Sequence, residues 1–230
     1  MSIQKIIVFL CTFYLCSITV VGANKITEVS KNVYHIQNQA HRMDMLVDGI
    51  TSQIWFKDDI SSAITFQLEK IVWNTSTFTT LNESPTVTSS SQTIKYSYNN
   101  IDIEYLLTSG GIKQNIYLHQ NQGLNKGVKL EIRIKDNKNY TLKDGTITFY
   151  QETPSGRNEI FNYSGLAVYD ANGNKLPSQI TLQNNLICLE IDDRLATYPI
   201  LVDPISSVYT WTATGGQAGA LFGKTVASAG

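Results

Sequence analysis

The sequence predicts an all-β protein, with antiparallel sheets packed as a β-sandwich or as stacked β-layers and a C-terminal segment that begins a truncated repeat. Three observations predict the sheets. Tyr, Thr, Ile and Val recur in short runs, Gly, Asn and Asp punctuate those runs, and no stretch of helix length keeps a 3.6-residue period.

The first segment is read as an address rather than as structure. Lys5 precedes the apolar run "IIVFLCTFYLCSITVV", which ends at Val21-Gly22-Ala23 with small residues where a signal peptidase cuts. Residues 1–23 are therefore expected to be a secretion signal. As a retained anchor the run falls short of the roughly 20 apolar residues of a spanning helix, and no second apolar run follows. A lipoprotein anchor at Cys16 is disfavoured by the bulky Phe13-Tyr14-Leu15 before it. The expected mature chain has no transmembrane anchor. It keeps only Cys188 of the three cysteines, so it has no intrachain disulfide. Cys188 lies in the apolar pattern "LICLEI" and reads as a buried thiol. The full chain of 230 residues is long enough for a sizeable core, and a net charge of −1 provides no field for nucleic acid.

Residues 24–85 are less regular and hold "HIQNQAHRMDML"; they are either an opening strand layer of the main domain or a small separate unit. Within them "SAITFQLEKIVW" alternates imperfectly. "NESPTVTSSSQ" has the composition of a loop and marks a boundary, so that 86–205 forms the sandwich-like domain. "TIKYSYNNIDIEYLLT" reads as two strands around Asn99-Asn100, with Ile101, Ile103 and Tyr105 on one face. "GIKQNIYLHQ" follows. In "VKLEIRIK", Val128, Leu130, Ile132 and Ile134 face one way and Lys129, Glu131, Arg133 and Lys135 the other, a strand with one wet face. "GTITFYQE", "EIFNYSGLAVYD" and "KLPSQITL" come next, the last two joined at Asn172-Gly173, which predicts a tight hairpin. "NNLICLEIDD" and "TYPILVDP" complete the series. In the last, Ile200 and Val202 oppose Leu201, and Asp203 reads as a turn-former before Pro204. Residues 206–230 bring a sudden rise in Gly and Ala, a linker followed by a first strand.

Residues 165–205, ending in "YPILVDP", resemble the close of the β-rich N-terminal domains that precede repeat regions in large secreted and cell-surface proteins. "TIKYSYNNIDIEYLLTSGGIKQNIYL" resembles the middle of such domains. "LFGKTVASAG" is similar to the opening strand of an FG-GAP repeat of the integrin-α-like β-propeller, with Phe222-Gly223 as the name-giving pair. The resemblance implies a non-catalytic adaptor before a propeller, without enzymatic activity of its own. It implies calcium only in acidic loops of downstream repeats, and no cofactor in this fragment.

"AGALFGKT", residues 218–225, also satisfies relaxed P-loop spacing. A P-loop needs a helix after Lys224-Thr225 to face the phosphates, and only "VASAG" follows, so no nucleotide is expected.

Other constellations lead to structural roles. His35, His41 and His119 show no metal-ligand spacing, and His41 with Asp44 reads as a local pair. "DANGNK" (170–175) places its glycine fourth, where a calcium loop needs it sixth, and reads as a turn. Asp58-Asp59 and Asp192-Asp193 would each split between opposite faces of a strand, which leaves no shared acid–base site. No catalytic, cofactor or metal residue is assigned. Four sequons, at Asn74, Asn82, Asn139 and Asn162, are candidate glycan sites in a eukaryotic secretory pathway, Asn82 handicapped by Pro85.

The expected function is that of a secreted or cell-surface structural or adhesion-type glycoprotein domain, with an extracellular protein or glycan as partner. The alternative is a secreted carbohydrate- or peptide-binding or -active β-protein with a site built from Trp55, Trp73 and Tyr117 and nearby carboxylates. The geometry of Trp55 and Trp73 discriminates: an exposed cleft shared by both supports the alternative, and burial between sheets removes it.

Overall fold

The computed structural model describes residues 24–205 apart from 57–58, 74–76, 82, 110, 122–126 and 155. The signal segment, Asn74, Asn82, Asp58 and the whole FG-GAP-like and P-loop-like stretch of 206–230 lie outside the described residues.

The described chain is all strand and turn. Its strands are β1 (Lys25–Ser30), β2 (Val33–Asn38), β3 (Met43–Val47), β4 (Thr51–Phe56), β5 (Asp59–Trp73), β6 (Thr77–Thr80), β7 (Thr86–Ser89), β8 (Thr93–Ser97) and β9 (Ile101–Thr108). The series continues with β10 (Gly111–Leu118), β11 (Val128–Ile134), β12 (Asn139–Lys143), β13 (Thr146–Thr153), β14 (Gly156–Tyr163), β15 (Ala167–Tyr169), β16 (Ser178–Gln183), β17 (Leu186–Ile191) and β18 (Ile200–Ile205). Three antiparallel sheets result: a nine-stranded one in the order β1-β2-β3-β4-β5-β11-β17-β16 with β6 also on β5, a six-stranded one in the order β15-β18-β10-β9-β8-β7, and a three-stranded one, β12-β13-β14. The sheets are stacked in a sandwich-like arrangement and none closes into a barrel.

Strands β1 to β6 share the nine-stranded sheet with β11, β16 and β17, because β5 pairs with β11. The segment that is least regular in sequence is a meander, β1 to β5, joined by short turns. Met43, Met45 and Val47, then Ile54 and Phe56, fill its inner face, so the alternation is present but carried by a mixed set of residues. Residues 86–89, inside the stretch read as a loop, are the edge strand β7: Thr and Val suit a strand, and its polar side chains tolerate the exposed edge.

Tyrosines fasten the two larger sheets together. Tyr96 on β8 packs edge-on against Tyr34 on β2, with ring centroids 6.4 Å apart, and against Tyr105 on β9 at 6.2 Å. Their hydroxyls cross the interface: Tyr96 Oη donates to the carbonyl of Val47 at 3.1 Å, and Tyr105 Oη to that of Gly49 at 3.1 Å. Each phenol buries a large apolar ring while its polar end satisfies a turn carbonyl, which orders the β3–β4 turn against the opposite sheet.

The three-stranded sheet covers another part of the core. Phe149, Phe161 and Tyr163 meet Phe66 of β5 at 5.6, 6.1 and 5.5 Å between centroids, and Phe161 also meets Phe56 at 5.8 Å.

Two expectations are corrected. Asn172-Gly173 does form a turn, with Gly173 at φ 80°, but Tyr169 and Lys175 make only one bridge and the chain then leaves β15 in the six-stranded sheet for β16 in the nine-stranded one. The segment is a crossover between layers rather than a hairpin. Asp203 is not a turn residue: it lies within β18, opposite Ala167, on the outer face with Leu201, while Ile200 and Val202 are buried as expected.

Candidate functional site

The aromatic residues nominated from sequence do not share a cleft. Trp73 is fully buried in the core. Trp55 points to the opposite face of the nine-stranded sheet, where its ring stacks on His35 with centroids 5.6 Å apart and planes 10° from parallel. Tyr117 belongs to the six-stranded sheet and donates to Glu104 Oε2 at 3.2 Å. A platform built from both tryptophans is therefore absent from the fold.

The remaining sequence candidates are placed as follows. His35 Nε2 meets Asp44 Oδ1 at 2.8 Å, and Gln37 Nε2 donates to the same oxygen at 3.1 Å. His41, three residues before Asp44, turns away and its Nε2 lies 2.9 Å from the carbonyl of Ser109. Asp170 accepts from the backbone N–H groups of Asn172 at 2.9 Å and Asn174 at 2.8 Å, and from Asn174 Nδ2 at 3.1 Å. Burial opposes its ionisation, yet these donors outweigh burial and hold the Asp170 pKa below the usual aspartate value. The oxygens of "DANGNK" thus serve the turn. Asp192 and Asp193 diverge: Asp192 takes Arg194, while fully buried Asp193 accepts from Gly127 N at 2.8 Å, Tyr198 Oη at 2.7 Å and Asn121 Nδ2 at 3.1 Å. Asn139 and Asn162, on β12 and β14, are both exposed.

A concave surface lies on the outer face of the nine-stranded sheet, where β5, β11, β17 and β16 line a groove of about 990 Å³. Register places Lys129 beside Glu190 and Glu190 beside Gln179, and in the next row Lys70, Glu131, Cys188 and Thr181. The loop after β17 adds Asp192 and Arg194 at one end.

Its charges are paired internally. Glu131, only 6% exposed, holds Lys129 Nζ at 2.6 Å and Lys70 Nζ at 3.1 Å. Burial works to raise its pKa, and the two ammonium groups prevail and lower it. Glu190 accepts from Gln179 Nε2 at 2.6 Å and Thr181 Oγ1 at 3.2 Å. The Arg194 guanidinium, at 2.5 Å from Asp192 Oδ2, brings that carboxyl down to about 2. Cys188 is a free thiol beside Glu131, and burial pushes its pKa up, away from the reactive thiolate.

Part of this groove was legible in the strand "VKLEIRIK", whose wet face carries Lys129 and Glu131. Lys70 and Glu190 were missed because the alternation does not reveal that they flank that strand, nor that a face read as wet buries a carboxylate.

Comparison of the chain with protein-family models, with curated proteins and with solved structures finds no match in any of the three. Among the described residues no helix is long and apolar enough to cross a membrane.

Proposed function

We propose that this chain is a non-catalytic secreted or cell-surface module of structural or adhesion type, which presents the groove on the nine-stranded sheet to an extracellular protein or glycan and precedes an FG-GAP-like propeller. The observation that carries the reading is the pairing of the groove's charges with one another, Glu131 with Lys129 and Lys70 and Asp192 with Arg194. A general acid is tuned upward toward neutral pH by burial or by a like charge, whereas Glu131 and Asp192 are both held down by cations. Such groups remain ionised and paired through the physiological range, which suits a fixed polar surface better than proton transfer. A groove with alternating, mutually compensated charges favours a polar, extended partner over a strongly charged one. The extracellular placement rests on the signal-like N-terminus, and the propeller on "LFGKTVASAG".

The test is to probe the purified full chain against arrays of extracellular glycans and matrix proteins, alongside hydrolase assays on the same ligands. The reading expects binding weakened by a Lys129→Glu, Arg194→Glu double variant and no turnover. Turnover abolished by Glu131→Gln would overturn it.

A further inference from the structure

Asn139 and Asn162 differ from the asparagines that serve the fold. Asn38, Asn121, Asn174 and Asn185 each donate a hydrogen bond through the side-chain amide. Asn139 on β12 and Asn162 on β14 are exposed, and neither side-chain amide is engaged by another of the described residues. Each opens a sequon, Asn139-Tyr140-Thr141 and Asn162-Tyr163-Ser164. In an extended chain the first and third residues share a face and the middle one takes the other. Both middle tyrosines turn inward, Tyr140 onto Phe149 with ring centroids 5.6 Å apart and Tyr163 onto Phe66 at 5.5 Å. Thr141, Thr148 and Asn162 form one row across the three-stranded sheet, and Asn139 lies opposite Tyr150, two residues along. The two asparagines therefore rise from the same outer face.

β12 and β14 are also the outer strands of that sheet, so among the described residues each has an edge with no strand beside it. Open edges template pairing with other chains unless charge or bulk obstructs them. The first half of β14 carries Arg157 and Glu159, whereas Ile160 to Tyr163 hold no charge. β12 is charged only at Lys143 and leaves Leu142 37% exposed. One sequon falls on the weakly guarded part of each edge.

We propose that Asn139 and Asn162 carry N-linked glycans, and that the two sugars shield the open edges of the three-stranded sheet from pairing with other chains. The proposal rests on the extracellular placement of the proposed function. The donor is a lipid diphosphate-linked oligosaccharide of the secretory pathway. Transfer forms the bond between Nδ2 and the anomeric carbon, breaks that carbon's bond to the phosphate oxygen, and releases the amide proton with the lipid diphosphate. A glycan is bulky and strongly hydrated, so it obstructs an incoming strand without being buried in the fold. The groove on the nine-stranded sheet is lined by no residue of β12, β13 or β14, so the modified face and the groove are separate surfaces.

The experiment expresses the full chain in insect cells in two forms, one with its own N-terminus and one behind an established secretion signal. Glycosidase release in heavy-oxygen water marks each formerly modified asparagine for mass spectrometry. In the second form both Asn139 and Asn162 are expected to be marked in most chains, and Asn139→Gln and Asn162→Gln each to remove one glycan. Secretion of that form with either asparagine unmodified overturns the proposal. Retention of the first form in the cytosol, with the second form modified, overturns instead the extracellular reading on which the proposal rests. Glycosidase treatment of the folded secreted chain, which needs no variant to fold, is expected to speed its aggregation severalfold. An unchanged rate overturns the shielding role.

Discussion

Glu131 and Lys129 stand two residues apart on β11, and their charged ends meet at 2.6 Å on the outer face of the nine-stranded sheet. With Lys70 on the far oxygen, the carboxylate anchors two ammonium groups contributed by adjacent strands. Replacing it by Gln leaves two partly exposed cations without the buried counter-charge between them. Glu131→Gln is expected to cost about 1–3 kcal/mol of unfolding free energy at neutral pH, read by urea denaturation. The sign with pH follows from the lowered pKa: the stabilisation is present above the unfolded value of 4.5 and is lost as pH falls through the folded one. The gap between wild type and variant therefore closes on acidification. A gap that is constant from neutral to strongly acidic pH would show that charge is not its source.

Asp193 joins the segments on either side of the 122–126 stretch to the loop that carries Tyr198. It is fully buried and accepts three hydrogen bonds, from Asn121, Gly127 and Tyr198. Asp193→Ala strands those donors and is expected to cost about 3–5 kcal/mol, a large part of the stability of an ordinary domain. Thermal melting followed by circular dichroism checks it; a loss below about 1 kcal/mol would contradict the assigned role.

Gly49 occupies φ 102° beneath the tyrosine cluster, where an added Cβ would overlap the Tyr98 hydroxyl and come within 3.0 Å of Tyr96 Cδ1. Gly49→Ala therefore combines backbone strain with a clash against rings that pack the sheet interface. An expected cost of about 2–4 kcal/mol, measured by denaturation, exceeds that of Gly145→Ala, where φ is also positive but the space is open.

The Tyr163 hydroxyl is buried without a hydrogen-bond partner, and burial pushes its pKa far above the ordinary phenol value. Its ring, by contrast, packs on Phe66 at 5.5 Å. Tyr163→Phe keeps the ring and removes an unpaired polar group, so stability is expected to be unchanged or to rise by up to about 1–2 kcal/mol. A clear loss would reveal a partner for the hydroxyl, such as a water in the neighbouring small cavity lined by Ser52, Gln114 and Tyr163.

What could be read from the sequence was local. Period-two runs such as Val128 to Ile134 and the pair around Asn99-Asn100 appear in the fold as β11 and as β8 with β9, because alternation and turn residues act within a few positions. Sheet membership is not local. Nothing in "SAITFQLEKIVW" announces that it pairs with "VKLEIRI" more than fifty residues later, so the segment's place in the large sheet stayed open. The same blindness hid the groove, which depends on Lys70 and Glu131 meeting across that pairing. Asn172-Gly173 illustrates the converse: its turn chemistry was legible, and the layer its exit strand would join was not.

The central claim, that the groove is a fixed polar surface rather than a proton-transfer site, is tested most directly by the ionisation of Glu131. Carboxyl-detected NMR titration of the folded chain, assigned with Glu131→Gln, should place its pKa below the ordinary 4.5. A value raised toward neutrality would mark a poised acid and contradict the account.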